Sequence, residues 1–147
     1  MQTEQASQSF LEVYRGSFSN MLRWHQLDDL FSKVRQSHKA WYIYAIGEPP
    51  PEQTVNQQQL EHFLGEITAL LHKEHQEDYC GIVYADDRED PSLIKIYDPN
   101  NLGVSCGFST NPPLPGWILS VLPPADLEAA LPQTGSRKRW WQRIFSA

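Results

Sequence analysis

Tyr79-Cys-Gly-Ile-Val-Tyr-Ala85, Asp86-Asp-Arg-Glu-Asp-Pro91 and Ser92-Leu-Ile-Lys-Ile-Tyr97 follow one another without a break. The outer two segments are rich in β-branched and aromatic side chains, and the middle one is polar and ends in proline. That pattern predicts two strands joined by a hairpin loop, because a short polar connection permits only antiparallel pairing. Downstream, Asp98-Pro-Asn-Asn101 is a turn: proline presets φ, and asparagine tolerates left-handed backbone. Further short strands are expected over Gly103–Phe108 and Trp117–Val121, on either side of Asn111-Pro-Pro-Leu-Pro-Gly116. Pro123 and Pro124 stop the last of them, and a brief helix fits Pro124–Leu131.

Upstream the period changes. Leu60, Phe63, Leu64, Ile67, Leu70 and Leu71 form an apolar stripe at three-and-four spacing, which predicts a helix ending between His72 and Asp78. Thr54 or Asn56 can cap its start by accepting an orphan backbone N–H. The run Trp41-Tyr-Ile-Tyr-Ala-Ile46, closed by Gly47 and three prolines, predicts a strand and then a loop. Residues 8–36 read as helix in two pieces. One is built on Phe18, Met21, Leu22 and His25, the other on Leu27, Leu30, Phe31 and Val34, with Gly16 weakening the first and a bend near Trp24–Gln26. The expected fold is therefore α+β, a single antiparallel sheet of about four to five strands with helices packed on one face. Residues 1–131 form the domain, and residues 132–147 form a linker and a tail.

Composition agrees. The chain has 147 residues, 40% hydrophobic and 20% charged, enough apolar surface for one core without disulfides or metal. No run approaches the ~20 apolar residues of a membrane-spanning helix. The first ten residues lack a basic patch followed by an apolar stretch, so no signal peptide is expected. Two cysteines, Cys80 and Cys106, do not make a disulfide scaffold, and the expected setting is cytoplasmic.

The last twelve residues differ from the rest. Arg137, Lys138, Arg139 and Arg143 are basic, Trp140, Trp141, Ile144 and Phe145 are large and apolar, and no acid interrupts them. The chain totals 12 Lys and Arg against 18 Asp and Glu, so the preceding 135 residues hold 8 against 18, a net of −10. On a helix Trp140 would sit beside Ile144 and Trp141 beside Phe145, giving an apolar side with a basic back. So short a helix is marginal alone and needs a surface to order it. Burying four such side chains gains roughly 6–12 kcal/mol, basic groups near an anionic bilayer add about 1 kcal/mol each, and ordering the segment costs on the order of 10–20 kcal/mol. A single tail would thus hold lipid weakly, and an acidic or apolar groove on a partner protein is the better receptor. Peripheral membrane contact is the alternative. Nucleic acid is disfavoured, because a body at −10 repels phosphate. The competing expectation is that the tail packs on its own domain, its arginines drawn to Asp86–Asp90.

Other chemistry is weaker. His72, His75, Cys80 and Cys106 could supply the imidazole and thiolate donors of a zinc site, yet no CxxC or HExxH spacing supports it. Cys106, within Val104-Ser-Cys-Gly-Phe108, could act as a nucleophile if Asp98 or a histidine assisted it. The commoner role of a free cysteine is that of a small buried hydrophobe. Asp86, Asp87, Glu89 and Asp90 lack the alternating oxygens and central glycine of a calcium loop, and a solvated hairpin tip explains them. Asp98 and Asn100 could line a recognition surface with Cys106 and Trp117, but turn formation accounts for them first. No Gly-rich phosphate loop or Ser/His/Asp signature is present. The sequence therefore points to a non-enzymatic accessory or adaptor protein attached through its basic aromatic tail. A thiol-dependent enzyme or redox protein centred on Cys106 and a small metal-binding module are the rivals, and no cofactor is expected.

Overall fold

The computed structural model describes residues 2–75, 77–100 and 114–130. In chain order these contain α1 (Gln2–Tyr14), β1 (Ser19–Asn20), α2 (Trp24–Gln36), β2 (Tyr42–Ala45), α3 (Gln57–Glu74), β3 (Val83–Ala85), β4 (Leu93–Ile96), β5 (Trp117–Ser120) and α4 (Leu127–Ala130). The strands form one antiparallel sheet in the order β1-β3-β4-β5-β2. The α+β fold expected from the sequence is the fold observed.

The hairpin forms as read. Val83 faces Ile96 and Ala85 faces Ile94. Asp86 ties the loop shut, its carboxylate accepting the Ser92 and Leu93 N–H groups at 2.9 and 3.0 Å. The Asp87 carboxylate accepts from the backbone of Glu89 and Asp90 at 2.9 and 3.3 Å, the Asx geometry of a turn. Lys33 and Lys39, from α2 and just beyond it, pair with Glu89 and Asp90. The acids of this loop are thus committed to its own shape and to the α2 side of the molecule.

Both main helices begin with side-chain caps, reciprocal in α3 and one-sided in α2. In α3 the Asn56 side chain accepts the Gln59 N–H at 2.7 Å, and the Gln59 side chain accepts the Asn56 N–H at 2.9 Å. In α2 the Gln26 side chain accepts the Arg23 N–H at 2.9 Å. Leu27, Leu30, Phe31 and Val34 are buried along α2, and Leu60, Leu64, Ile67 and Leu71 along α3, as their spacing predicts. Ser37 closes α2, bonding Val34 O at 2.8 Å and accepting the Trp41 indole N–H at 3.1 Å.

The first thirty residues depart from expectation. The spacing of Phe18, Met21 and Leu22 predicts a helix, but α1 ends at Tyr14 and the chain then extends along β3. Met21 donates to Val83 O at 2.8 Å, while Cys80 and Gly81 donate to Leu22 O and Met21 O at 2.8 and 2.9 Å. Apolar residues three apart imitate a helical stripe, but Gly16, Ser17, Ser19 and Asn20 are poor helix formers. Pairing with a distant strand settles the competition. Gly81 makes that pairing possible: its φ of +73° is left-handed, where a Cβ would also meet the Tyr79 ring at 3.2 Å.

Period-two alternation distributes two cores. Val83, Ala85, Ile94, Ile96 and Leu119 point to one face, beneath α2 and α3. Tyr44, Leu93 and Ile118 point to the other, where Phe10 and Tyr14 of α1 and Leu127 of α4 cover them. Helices on one face describes α2 and α3; α1 and α4 add a second layer opposite. The strand expected over Gly103–Phe108 and the linker from residue 132 lie outside the described residues.

Candidate functional site

The tail residues Arg137, Lys138, Arg139, Trp140, Trp141, Arg143, Ile144 and Phe145 lie outside the described residues, as does Cys106. What the structure does define is α4, the last described element before that tail. All four N–H groups of this short helix are satisfied. Leu127 donates to the buried Tyr44 hydroxyl at 3.3 Å, Glu128 and Ala129 to the Asp126 carboxylate at 3.1 and 3.2 Å, and Ala130 to Asp126 O at 2.9 Å. Tyr44 is fully buried and belongs to edge strand β2, so it fixes where the chain leaves the sheet. Burial raises its pKa, with the Leu127 N–H acting in the opposite sense.

A second constellation lies at the opposite edge, where α3 ends beside the start of α2. Trp24 stacks on His72 with ring centroids 4.0 Å apart, and its indole N–H donates to Glu77 O at 3.0 Å. His75 lies 6.2 Å from the Trp24 ring and meets Tyr79 edge-on at 5.9 Å. Its Nε2 is buried with no hydrogen-bond partner among the described residues. Leu22 and Tyr79 stand 55% and 50% exposed here, the two large hydrophobic residues most open to solvent among those described. Cys80 is fully buried, and desolvation raises its thiol pKa, the environment of an unreactive cysteine. His72 and His75 are therefore arranged with aromatic rings. No group of three or more His, Cys, Asp or Glu converges to hold a metal among the described residues. His62 is exposed on α3, as its place outside the stripe implies.

The third constellation escaped sequence reading. Lys95 of β4 faces α1, and its ammonium lies 3.9 Å from the ring centroids of both Tyr14 and Phe18. Tyr84 is its direct cross-strand neighbour and meets Tyr97 edge-on at 5.6 Å; the Tyr84 hydroxyl accepts from Asn20 Nδ2 at 3.2 Å. Burial lowers the Lys95 pKa to about 8. The two ring faces favour the ammonium and oppose that shift. Burial raises the Tyr14 and Tyr97 hydroxyls. The arrangement clamps the C-terminal end of α1 to the sheet. A signal for it existed: Leu93-Ile-Lys-Ile96 is apolar on both sides of the strand, so its lysine had to lie under a covering layer.

In the remaining turn, Asn100 donates its N–H to the Asp98 carboxylate at 2.9 Å, which is the Asx turn expected. Gly116 sits against this turn; a Cβ there would lie 3.2 Å from the Asp98 Cβ. No helix among the described residues is long and apolar enough to cross a membrane. No protein-family model matches the chain, and neither does any curated protein or solved structure.

Proposed function

We propose that this protein is an accessory or adaptor protein whose α+β body is attached to a larger protein assembly through residues 136–147. The observation that carries the reading is the charge segregation. Four bases and no acid share the last twelve residues with two tryptophans, while the rest of the chain is at −10. Trp140, Trp141, Ile144 and Phe145 are the anchors, since large apolar and aromatic groups dominate interface energetics. Arg137, Lys138, Arg139 and Arg143 steer the segment onto an acidic or apolar groove.

The pairing of Glu89 with Lys33 and of Asp90 with Lys39 supports this reading. Those acids are the rival attraction for the tail on its own domain, and Lys33 and Lys39 already engage them. The capped α4, held by Tyr44 and Asp126, gives the tail a fixed point of departure.

The test removes residues 136–147 and follows two quantities. The truncated protein should keep its far-ultraviolet circular dichroism and melting temperature while losing co-purification from a native extract. An anionic-vesicle flotation arm separates a protein partner from lipid: binding confined to vesicles would replace the partner with the membrane surface. Loss of several degrees of melting temperature, measured at a concentration where the parent is monomeric, would make the tail structural and end the proposal.

A further inference from the structure

The corner formed by Leu22, Trp24, His72 and Tyr79 has the chemistry to receive a basic aromatic segment, and this chain carries such a segment. From these residues we infer that the corner is the docking site for residues 136–147 of a second copy of the chain. The inference rests on the reading of the tail as a docking element and names a partner for it.

The receiving surface is aromatic and acid-rimmed. The stacked Trp24–His72 pair, 4.0 Å between centroids with ring planes 25° apart, offers an aromatic face, with Leu22 and Tyr79 half-exposed beside it. Indole rings and arginine guanidiniums both stack on such faces. The stretches that build the corner, residues 22–29, 72–75 and 77–79, hold Asp28, Asp29, Glu74, Glu77 and Asp78 against Arg23 and Lys73. The tail brings four positive charges and no negative one. Apolar surface and charge are complementary together, which neither the Lys95 clamp nor the lysine-paired hairpin tip offers.

Reach selects the second copy over the chain's own tail. Leu127 of α4 packs with Tyr44 on strand β2, at one edge of the sheet and on the α1 face. The corner lies beyond β1, at the other edge, among the ends of α2 and α3. Four strand spacings separate those edges, about 19 Å, and a helix layer about 10–12 Å thick covers each face. A route around the surface is therefore about 40 Å. When the whole of residues 136–147 is seated, only the seven residues from Ala130 to Arg137 remain to cross that route, and fully extended they span at most about 25 Å. A neighbouring molecule has no such limit, and reciprocal exchange of two tails closes a two-fold dimer with both corners filled.

Sedimentation velocity of the full chain across a concentration series tests this. The expected result is a monomer–dimer equilibrium that weakens as salt rises, because exposed charges contribute. Leu22 and Tyr79 are exposed, so Leu22→Ser with Tyr79→Ser leaves the fold intact and should weaken dimerisation by at least about tenfold. Glu77→Lys with Asp78→Lys should weaken it as well, as should Arg137→Glu with Arg139→Glu. Combining those two reversed pairs should restore it. A chain monomeric at every concentration overturns the inference, as does a dimer indifferent to these substitutions or unrestored by the double reversal. If the chain is monomeric but truncation still abolishes capture of a partner, self-docking fails while the adaptor reading stands. If truncation leaves capture intact, the adaptor reading itself fails.

Discussion

Replacing Tyr44 by phenylalanine isolates the single bond that seats α4. The ring stays in its fully buried place and only the hydroxyl leaves, so packing in the α1-side core is preserved. What is lost is the acceptor for the Leu127 N–H, 3.3 Å away and buried. Stranding a buried donor costs about 1–3 kcal/mol. For a chain of this size each kcal/mol lowers the melting temperature by roughly 2–4 °C, so a fall of several degrees is expected. Differential scanning calorimetry measures it, with Tyr79→Phe as a control. Tyr79 is half-exposed, and its replacement should stay within about 0.5 kcal/mol. Hydrogen exchange adds a local readout. The Glu128 and Ala129 amides, held by Asp126 in the same turn, should exchange faster in Tyr44→Phe than in the parent. An unchanged melting temperature together with unchanged exchange at those amides would show that Tyr44 does not hold the helix, and the account of the tail's departure point would fall.

Three further outcomes follow from the same structure. Asn56→Ala removes the acceptor for the Gln59 N–H and should cost about 0.5–2 kcal/mol in urea unfolding, whereas Thr54→Ala should cost less. Stability should depend on alkaline pH in two opposed stages. Lys95 has its folded pKa lowered to about 8, so the unfolded chain binds more protons between there and its ordinary value near 10.5, and stability rises across that window. Tyr14, Tyr44 and Tyr97 have raised pKa values, so their contribution is complete below pH 10 and is lost as pH climbs through the folded values. Unfolding free energies measured from pH 7 to 12 check both signs, and Lys95→Met should remove the first rise. Alkylation of the native protein should leave Cys80 unlabelled until unfolding, because it is fully buried.

Much of this fold was legible because local chemistry and global pairing agreed. The hairpin strands, the Asn56 cap and the apolar stripes of α2 and α3 needed only neighbours within one turn or one loop. The stretch from Gly16 to Arg23 is not legible locally, since Phe18, Met21 and Leu22 satisfy a helical period by chance. The bond that decides their conformation runs from Met21 to Val83, across some sixty residues. The role of Lys95 is hidden for the same reason: Tyr14 and Phe18 reach it through the tertiary fold, and strand alternation alone cannot name what covers a strand. The sequence offers the histidines as metal ligands, whereas their neighbours in the fold are Trp24 and Tyr79, which spacing along the chain does not reveal.

Quantitative co-purification from a native extract ranks the contributions to attachment most directly. Trp140→Ala with Trp141→Ala should deplete the captured partner more than Arg137→Ala with Arg139→Ala, because the indoles anchor and the cations steer. The opposite ranking, or equal capture by both variants and the parent, would contradict attachment through the aromatic tail.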